Sequence, residues 1–339
     1  MAHGVGMSDE TVDVVVIGGG VAGLSGALTL ARARRSVLVL DAGQPRNAPA
    51  EAAHGLLSRD GIPPLRLLAE GRREIWGYGG RVEQDPVVRA TRHGDGFVVT
   101  TAGGREIAAR RLLVTTGLVD ELPDVPGLRE RWGRDVLHCP YCHGWEVRDQ
   151  RIGVLGPVEQ ALLFRQWTDH LVLFLHAGSE PTAEQWEQLA ARDIQVVDGM
   201  VAALVIDGDR LAAVRLASGT EVAVDALAIR PRFVARGDLL SGLGLEIAEN
   251  PMGEYVPADP TGATAVPGVW VAGNVTDLGA GVVQSAAGGV TAASRINHDL
   301  VLADTAAAVA ARRDFSAAAE TANSERVLGE RRHGFTPVV

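Results

Sequence analysis

The chain contains no lysine: all 32 residues counted as lysine plus arginine are arginine. That absence excludes Schiff-base catalysis by lysine and the phosphate-binding lysine of a Walker loop. Cysteine is almost as scarce, with two residues in 339, so neither a multi-bridge disulfide scaffold nor a four-cysteine zinc site can be built. Positive charge is also in deficit. A formal net charge of -10 excludes nucleic acid or an anionic membrane as a partner held by bulk electrostatics. No apolar run reads as a membrane span; the most apolar stretch near the start, Val12 to Ala31, is broken by Gly18, Gly19, Gly20, Gly23 and Gly26. The first residues lack a basic region followed by an apolar one, so no signal peptide is expected and the expected location is cytoplasmic. A length of 339 residues, 46% of them hydrophobic, suffices for two well-filled domains.

The two cysteines stand together in His138-Cys139-Pro140-Tyr141-Cys142-His143-Gly144-Trp145-Glu146. Two residues between them let the thiols reach each other as a short disulfide loop, which reads as one redox unit. Pro140 suits the first position of a helix, which would leave Cys139 at the N-cap and bring Cys142 to nearly the same face. The helix dipole and a histidinium at His138 or His143 would then favour thiolate. A zinc half-site and a structural disulfide are the competing readings. The first has no second cysteine pair, the second has little to do in a chain with ample core, and no metal is expected.

Around this stretch lie nucleotide-binding signals. Thr11 to Ile17 reads as a buried parallel strand, followed at once by Gly18-Gly19-Gly20-Val21-Ala22-Gly23 and an alanine- and leucine-rich helix to Arg34. Gly18 suits the tight turn, Gly20 the approach of a pyrophosphate, and Gly23 close packing of helix on strand. A second strand, Ser36 to Leu40, ends in Asp41, where an acid can accept ribose hydroxyls. The long glycine-rich connection after Asp41 suits a larger cofactor than NAD, and FAD is the expected one. Pro64 to Trp76 reads as a helix, Phe97 to Thr101 with Glu106 to Ala109 as a hairpin, and Arg111 to Gly117 as a strand ending in a small-residue turn. The proline-rich Leu122 to Gly127 is the first domain boundary.

A second strand-turn-helix unit begins at Arg151, but its fingerprint is damaged. Gly156 is kept, Pro157 and Val158 stand in the next positions, and Ala161 replaces the third glycine. The side chain of Val158 is expected to stand where a pyrophosphate needs bare backbone. The strand ending at His176-Ala177-Gly178-Ser179 offers neither an acid for NAD nor an arginine pair for NADP. NAD(P)H is therefore a doubtful cofactor. Near the C-terminus, Pro267 to Asn274 reads as a strand with a small turn, and Gln284 to Gly289 opens a long helix to about Arg312.

In this order of motifs the chain resembles the low-molecular-weight thioredoxin reductases over roughly residues 12 to 312. Within that group Cys139-Pro140-Tyr141-Cys142-His143-Gly144 is similar to the FAD-dependent dithiol oxidases of the holomycin and gliotoxin type; thioredoxin reductases typically carry alanine and threonine between the cysteines and aspartate after them. The resemblance implies an α/β fold of two doubly wound, three-layer, Rossmann-like domains. It implies a discontinuous FAD domain over 12–120 and 236–312, an inserted degenerate NAD(P)-type domain over 121–235 carrying the cysteines, a leader over 1–11 and a tail over 313–339. It further implies a homodimer. By position, Cys142 is the thiol beside the flavin, Cys139 the thiol that meets substrate, and His143 the acid-base. Gly18, Gly20 and Gly23 fall at the pyrophosphate, Asp41 at the ribose, Asn274 at the ribityl chain and Gln284 at the isoalloxazine edge; Val21, Ala22, Ala42, Arg46, Asn47, Thr116, Gly117, Gly273 and Ser285 are further residues expected to bind the cofactor. Asp41 is shorter than the usual glutamate, and Asn274 replaces the usual aspartate. Trp145 is expected in the core or the flavin-pocket wall. The expected activity is oxidation of a small-molecule dithiol to its disulfide with oxygen as acceptor. The alternatives are an NADPH-dependent thioredoxin or disulfide reductase, a ferredoxin-linked reductase, and a non-catalytic redox sensor.

Overall fold

Thr11–Ile17 buries its last four side chains almost completely, as a strand covered on both faces must. The computed structural model describes residues 10–176, 178–313 and 317–328. Most of the leader, and residues 314–316 and 329–339 of the tail, lie outside them; within the tail Ala317–Leu328 is helical. Thr11–Ile17 lies between Val37–Leu40 and Glu106–Val114 and runs parallel to both. The first half of Glu106–Val114 closes an antiparallel hairpin with Gly96–Thr101, and its last three residues pair in parallel with Val269–Val271, which arrives from the far end of the chain. The resulting sheet has seven strands. One face packs on Leu239, Leu240 and Leu243, the other on the helices Val21–Arg32 and Val282–Arg313. Each fully buried Leu, Ile or Phe contributes on the order of 1.5–3 kcal/mol.

Glycine makes the contact between those two helices possible. A Cβ on Gly289 would lie 2.0 Å from the carbonyl oxygen of Ala22, and one on Gly26 would lie 2.5 Å from Leu113 Cδ2 and 3.1 Å from the Gly289 carbonyl oxygen. Helices from opposite ends of the sequence thus touch backbone to backbone.

Between the two halves of this sheet comes a second, all-parallel sheet of five strands, ordered Gln195–Val197, Leu171–Phe174, Ile152–Leu155, Ala226–Ile229, Val136–Leu137. Helices Val158–Phe164 and Ala183–Ala191 cover one face through Val158, Ala161, Phe164 and Leu189. An antiparallel meander, Val201–Asp207, Arg210–Leu216 and Glu221–Ala223, covers the other through Val201, Leu204, Leu211 and Val214. The two connections between the units, Leu118–Glu121 and Arg232–Ala235, pair with each other antiparallel, so entry and exit form one ribbon. The architecture is the mixed α/β, two-unit Rossmann-like fold with its first unit discontinuous, as the motif order implies. Among the described residues no helix is long and apolar enough to cross a membrane.

The structure corrects the reading of Val158. Its side chain is 7% exposed and packs with Ile152, Val154 and Phe164, away from the turn it was expected to obstruct. The first residue of a helix that follows a parallel strand can turn its side chain onto the sheet, and here an apolar neighbourhood takes it.

Gly289→Ala is expected to cost about 1–3 kcal/mol, because the new Cβ meets backbone rather than a movable side chain. A lowered melting temperature and loss of bound flavin would register it. Gly77→Ala, where a Cβ meets nothing within 4 Å, is expected to leave both unchanged.

Candidate active site

The first turn forms a cradle from its backbone. Gly18 has φ +110°, and a Cβ there would lie 2.4 Å from the Thr115 carbonyl oxygen. A Cβ on Gly23 would lie 2.0 Å from the Gly18 carbonyl oxygen, so the helix can start against the turn only without a side chain. Thr115 adds a clamp, its hydroxyl donating to the Gly18 carbonyl at 2.8 Å. Gly20 differs from both: a Cβ there meets nothing within 4 Å, so its surface faces open space. The amides of Val21 and Ala22, in the first helical turn, have no intrahelical acceptor, which is the arrangement that receives a phosphate. Thr116 Oγ1 is buried without a partner, Gly117 beside it has φ +65° and open space, and both follow the strand Glu106–Val114.

The C-terminal return reaches the same place. Gly273, at φ +76°, brings its backbone so close to Ala22 that a Cβ would lie 2.9 Å from the Ala22 Cβ, with Ser285 Oγ at 3.7 Å. Asn274 donates its amide to the carbonyls of Asp277 at 3.2 Å and Ala280 at 2.9 Å, shaping the loop before the long helix. Gln284 is exposed in the first turn of that helix. Asp41 is already engaged: it accepts from the Gly19 amide at 3.0 Å and from Arg72 at 2.8 Å. Gly19 and Arg72 carry no expected role, yet a Cβ on Gly19 would lie 2.6 Å from Asp41 Cγ. Ala42 is exposed, and Asn47 lies half-buried in the turn after Arg46. Open glycine surface, unpaired amides and a buried unpartnered hydroxyl together fit an extended dinucleotide such as FAD.

The cysteines occupy a single helical turn. Pro140–His143 is four residues long with Cys139 at its N-cap, and Cys142 and His143 each donate their amide to the Cys139 carbonyl at 3.2 Å. Both cysteines are unpaired thiols, Cys139 partly buried and Cys142 exposed. The Cys142 S–H donates towards Cys139 and lowers the Cys139 pKa to about 6 against the opposing effect of burial. The amides of Cys142 and Tyr141, which approach the sulfur without closing a cap bond, and the charge of Arg46 act in the same direction. The same shared proton raises Cys142, which gives it up last. The pair is therefore asymmetric at neutral pH, thiolate at Cys139 and thiol at Cys142.

Neither histidine supplies the expected positive charge. Burial lowers the pKa of both His138 and His143, so both are neutral near pH 7. Arg46 is the cation instead. It pairs with Asp120 through two hydrogen bonds of 2.8 and 2.7 Å, and its guanidinium lies 4.8 Å over the Phe233 ring. Phe233 also takes the edge of the His138 ring at 5.3 Å, which joins the interdomain ribbon to the cysteine turn. Both ring nitrogens of His143 are shut off from solvent without a partner. His138 Nδ1 lies 3.1 Å from the Ile229 carbonyl, so it carries the proton and leaves Nε2 as the lone-pair nitrogen. Trp145 is not core: it is 65% exposed, with Arg148 4.1 Å over its ring.

The second glycine turn is closed by its own side chain. The amide of Gln160 donates to the His138 and Ile229 carbonyls, each at 3.1 Å, and its Oε1 lies 2.2 Å from where a Cβ on Gly156 would stand. Pro157, the N-cap, has no N–H to offer a phosphate. The ring of His176 is likewise engaged, Nδ1 accepting the Val201 amide at 2.9 Å. These residues do not fit a nicotinamide dinucleotide.

The model of the family described as pyridine nucleotide-disulphide oxidoreductase matches residues 12–294. The chain belongs to that family. Thioredoxin reductase sirT of Leptosphaeria maculans is 30% identical over 317 residues, covering 87% of this chain and 96% of the relative. Thioredoxin reductase tcpT of Claviceps purpurea is 32% identical over 282 residues, covering 79% and 87%. The crystal structure of HlmI aligns with a TM-score of 0.86 at 48% identity, over 92% of this chain and all of that one. The chain is a thioredoxin-reductase-like disulfide oxidoreductase, an enzyme, and its cofactor is FAD.

Alkylation of the reduced holoenzyme by iodoacetamide is expected to show a first midpoint near pH 6, since the thiolate is the reactive form and the Cys139 pKa is lowered from 9.0 to about 6. Arg46→Met removes a charge that favours the thiolate, so the midpoint should move upward. A single midpoint near pH 9 in both proteins would contradict the assigned asymmetry.

Proposed function

We propose that this enzyme is an FAD-dependent dithiol oxidase that forms a disulfide in a small-molecule dithiol. The closed Gly156 turn carries the reading, because it leaves the substrate dithiol rather than a nicotinamide as the electron source. The similarity of Cys139 to Gly144 to the dithiol oxidases supports the same direction. One substrate thiolate attacks Cys139 of the oxidised pair, forming a mixed disulfide and expelling Cys142 as thiolate. The second substrate thiol, deprotonated, then attacks the substrate sulfur of that mixed disulfide, and Cys139 leaves as thiolate. The substrate has lost two electrons and two protons, and the cysteine pair holds the electrons. A leaving thiol with pKa about 6 departs faster than an ordinary one, which suits Cys139 to product release. His143, neutral because buried, is available to take a proton. When bound, FAD supplies the acceptor for the electron pair and its transfer to oxygen, giving hydrogen peroxide.

In this reading 12–120 and 236–312 form the FAD domain, 121–235 carries the cysteines, and the enzyme works as a cytoplasmic homodimer. A second reading, NADPH-dependent disulfide reduction, is favoured by the names of the sirT and tcpT relatives.

Turnover of a small dithiol such as dithiothreitol in air should consume oxygen and yield one peroxide per disulfide. NADPH should not be required. Cys139→Ser and Cys142→Ser should each lower the rate by roughly three orders of magnitude. The rate should fall as pH drops through about 6, where Cys139 takes up its proton. Dithiol turnover that survives either serine variant would rule out the cysteine relay.

A further inference from the structure

The Gly156 turn is closed in a particular way. In an open doubly wound sheet a ligand sits outside the C-terminal ends of the strands, and here two neighbouring strands, Val136–Leu137 and Ala226–Ile229, end side by side at that edge. The carbonyls just past or at those ends are those of His138 and Ile229. Gln160, in the first turn of Val158–Phe164, folds back over Gly156 and donates to both. One amide nitrogen carries two hydrogens, so the donors match the acceptors one to one. The Ile229 carbonyl also receives His138 Nδ1, and the ring of His138 rests edge-on against Phe233. Cys139 follows His138 directly.

We propose that Gln160 is a positioning residue for the exchange thiol: seated in the turn where a nucleotide's phosphates would lie, it holds the backbone of His138 and thereby the N-cap geometry of Cys139. The side chain that excludes the nucleotide is the brace of the cysteine turn. The turn needs such a brace because Pro140–His143 is a single turn, too short to fix its own orientation. The distance of Cys139 from the Tyr141 and Cys142 amides depends on where His138 is held. Without the amide donors, two carbonyls at the sheet edge look for water and His138 is released. The proposal rests on Cys139 being the exchange thiol, and its readout is that thiol itself. It therefore stands or falls separately from the direction of electron flow.

The test compares reduced holoenzymes in a Cys142→Ser background, where Cys139 is the only thiol in the chain. Gln160→Leu keeps the bulk and removes both donors; iodoacetamide alkylation at pH 7 should slow at least fivefold and its midpoint should rise. Gln160→Glu puts a carboxylate against two carbonyls, so it should slow alkylation at neutral pH at least as much and raise the midpoint further. Gln160→Asn keeps the amide but loses the reach, and should behave like the leucine variant. Thr182→Ala, which removes the capping box of Ala183–Ala191 in the same unit, should lower the melting temperature and leave the midpoint in place. If the glutamate and asparagine variants fold and keep the midpoint of the background, Gln160 only fills space and the proposal is overturned, whether or not the leucine variant folds.

Discussion

Two helices that begin 261 residues apart, at Val21 and Val282, meet with no side chain between them at Gly289, and much of the site depends on that contact. It draws Gly273 and Ser285 onto the first turn of Val21–Arg32, so both ends of the chain bound one cradle. It also fixes where Val269–Val271 joins the sheet, beside the strand that ends at Thr116 and Gly117. Ion pairs extend the clasp outward: Arg35 and Arg110 both reach Asp304, and Arg111 reaches Asp299. These lie at partly exposed positions and add little energy individually. The close backbone approach sets the geometry, and the charges follow it.

The second unit depends on the first through a small aromatic and ionic hub. Arg46 leaves the irregular loop after Asp41, pairs with Asp120 on one connecting strand and covers Phe233 on the other. Phe233 in turn supports His138, and the Arg46 charge lowers the Cys139 pKa. A residue of the cofactor-side loop thus tunes a thiol carried by the other unit. His54, from the same loop, lies 3.4 Å from Glu146 just beyond the cysteine turn and adds a second link. Electrostatic activation of the pair comes from a neighbour distant in sequence, not from the flanking histidines.

Much of the fold was legible because it is local. Gly18 makes the tight turn and Gly23 the close helix packing that strand, glycine spacing and helix together imply, the helix from Pro64 extends one residue past Trp76, and the long C-terminal helix begins two residues before Gln284. The meander after Val201 leaves no clear signal in the sequence, since its short alternations resemble ordinary loop composition. In the site, the cysteines, Gly273 and Ser285 were visible from motif order. Arg72 and the Arg46 hub were not, because a pairing across many residues leaves no spacing signal. Gly19 had a weak signal, as the middle of three consecutive glycines. Val158 shows the limit of motif reading: the missing glycine was seen, but the side chain that closes the turn belongs to Gln160, two residues on. Sequence spacing identifies a damaged cradle; only packing shows what fills it.

In the proposed cycle electrons enter through the cysteine pair and not through the second glycine turn. The most direct measurement is anaerobic flavin absorbance of the holoenzyme mixed in turn with excess NADPH and with a small dithiol, followed by admission of air. The dithiol alone should bleach the flavin, and air should restore the colour with release of peroxide. Rapid bleaching by NADPH would contradict that cycle, showing that the turn closed by Gln160 opens to a nucleotide after all.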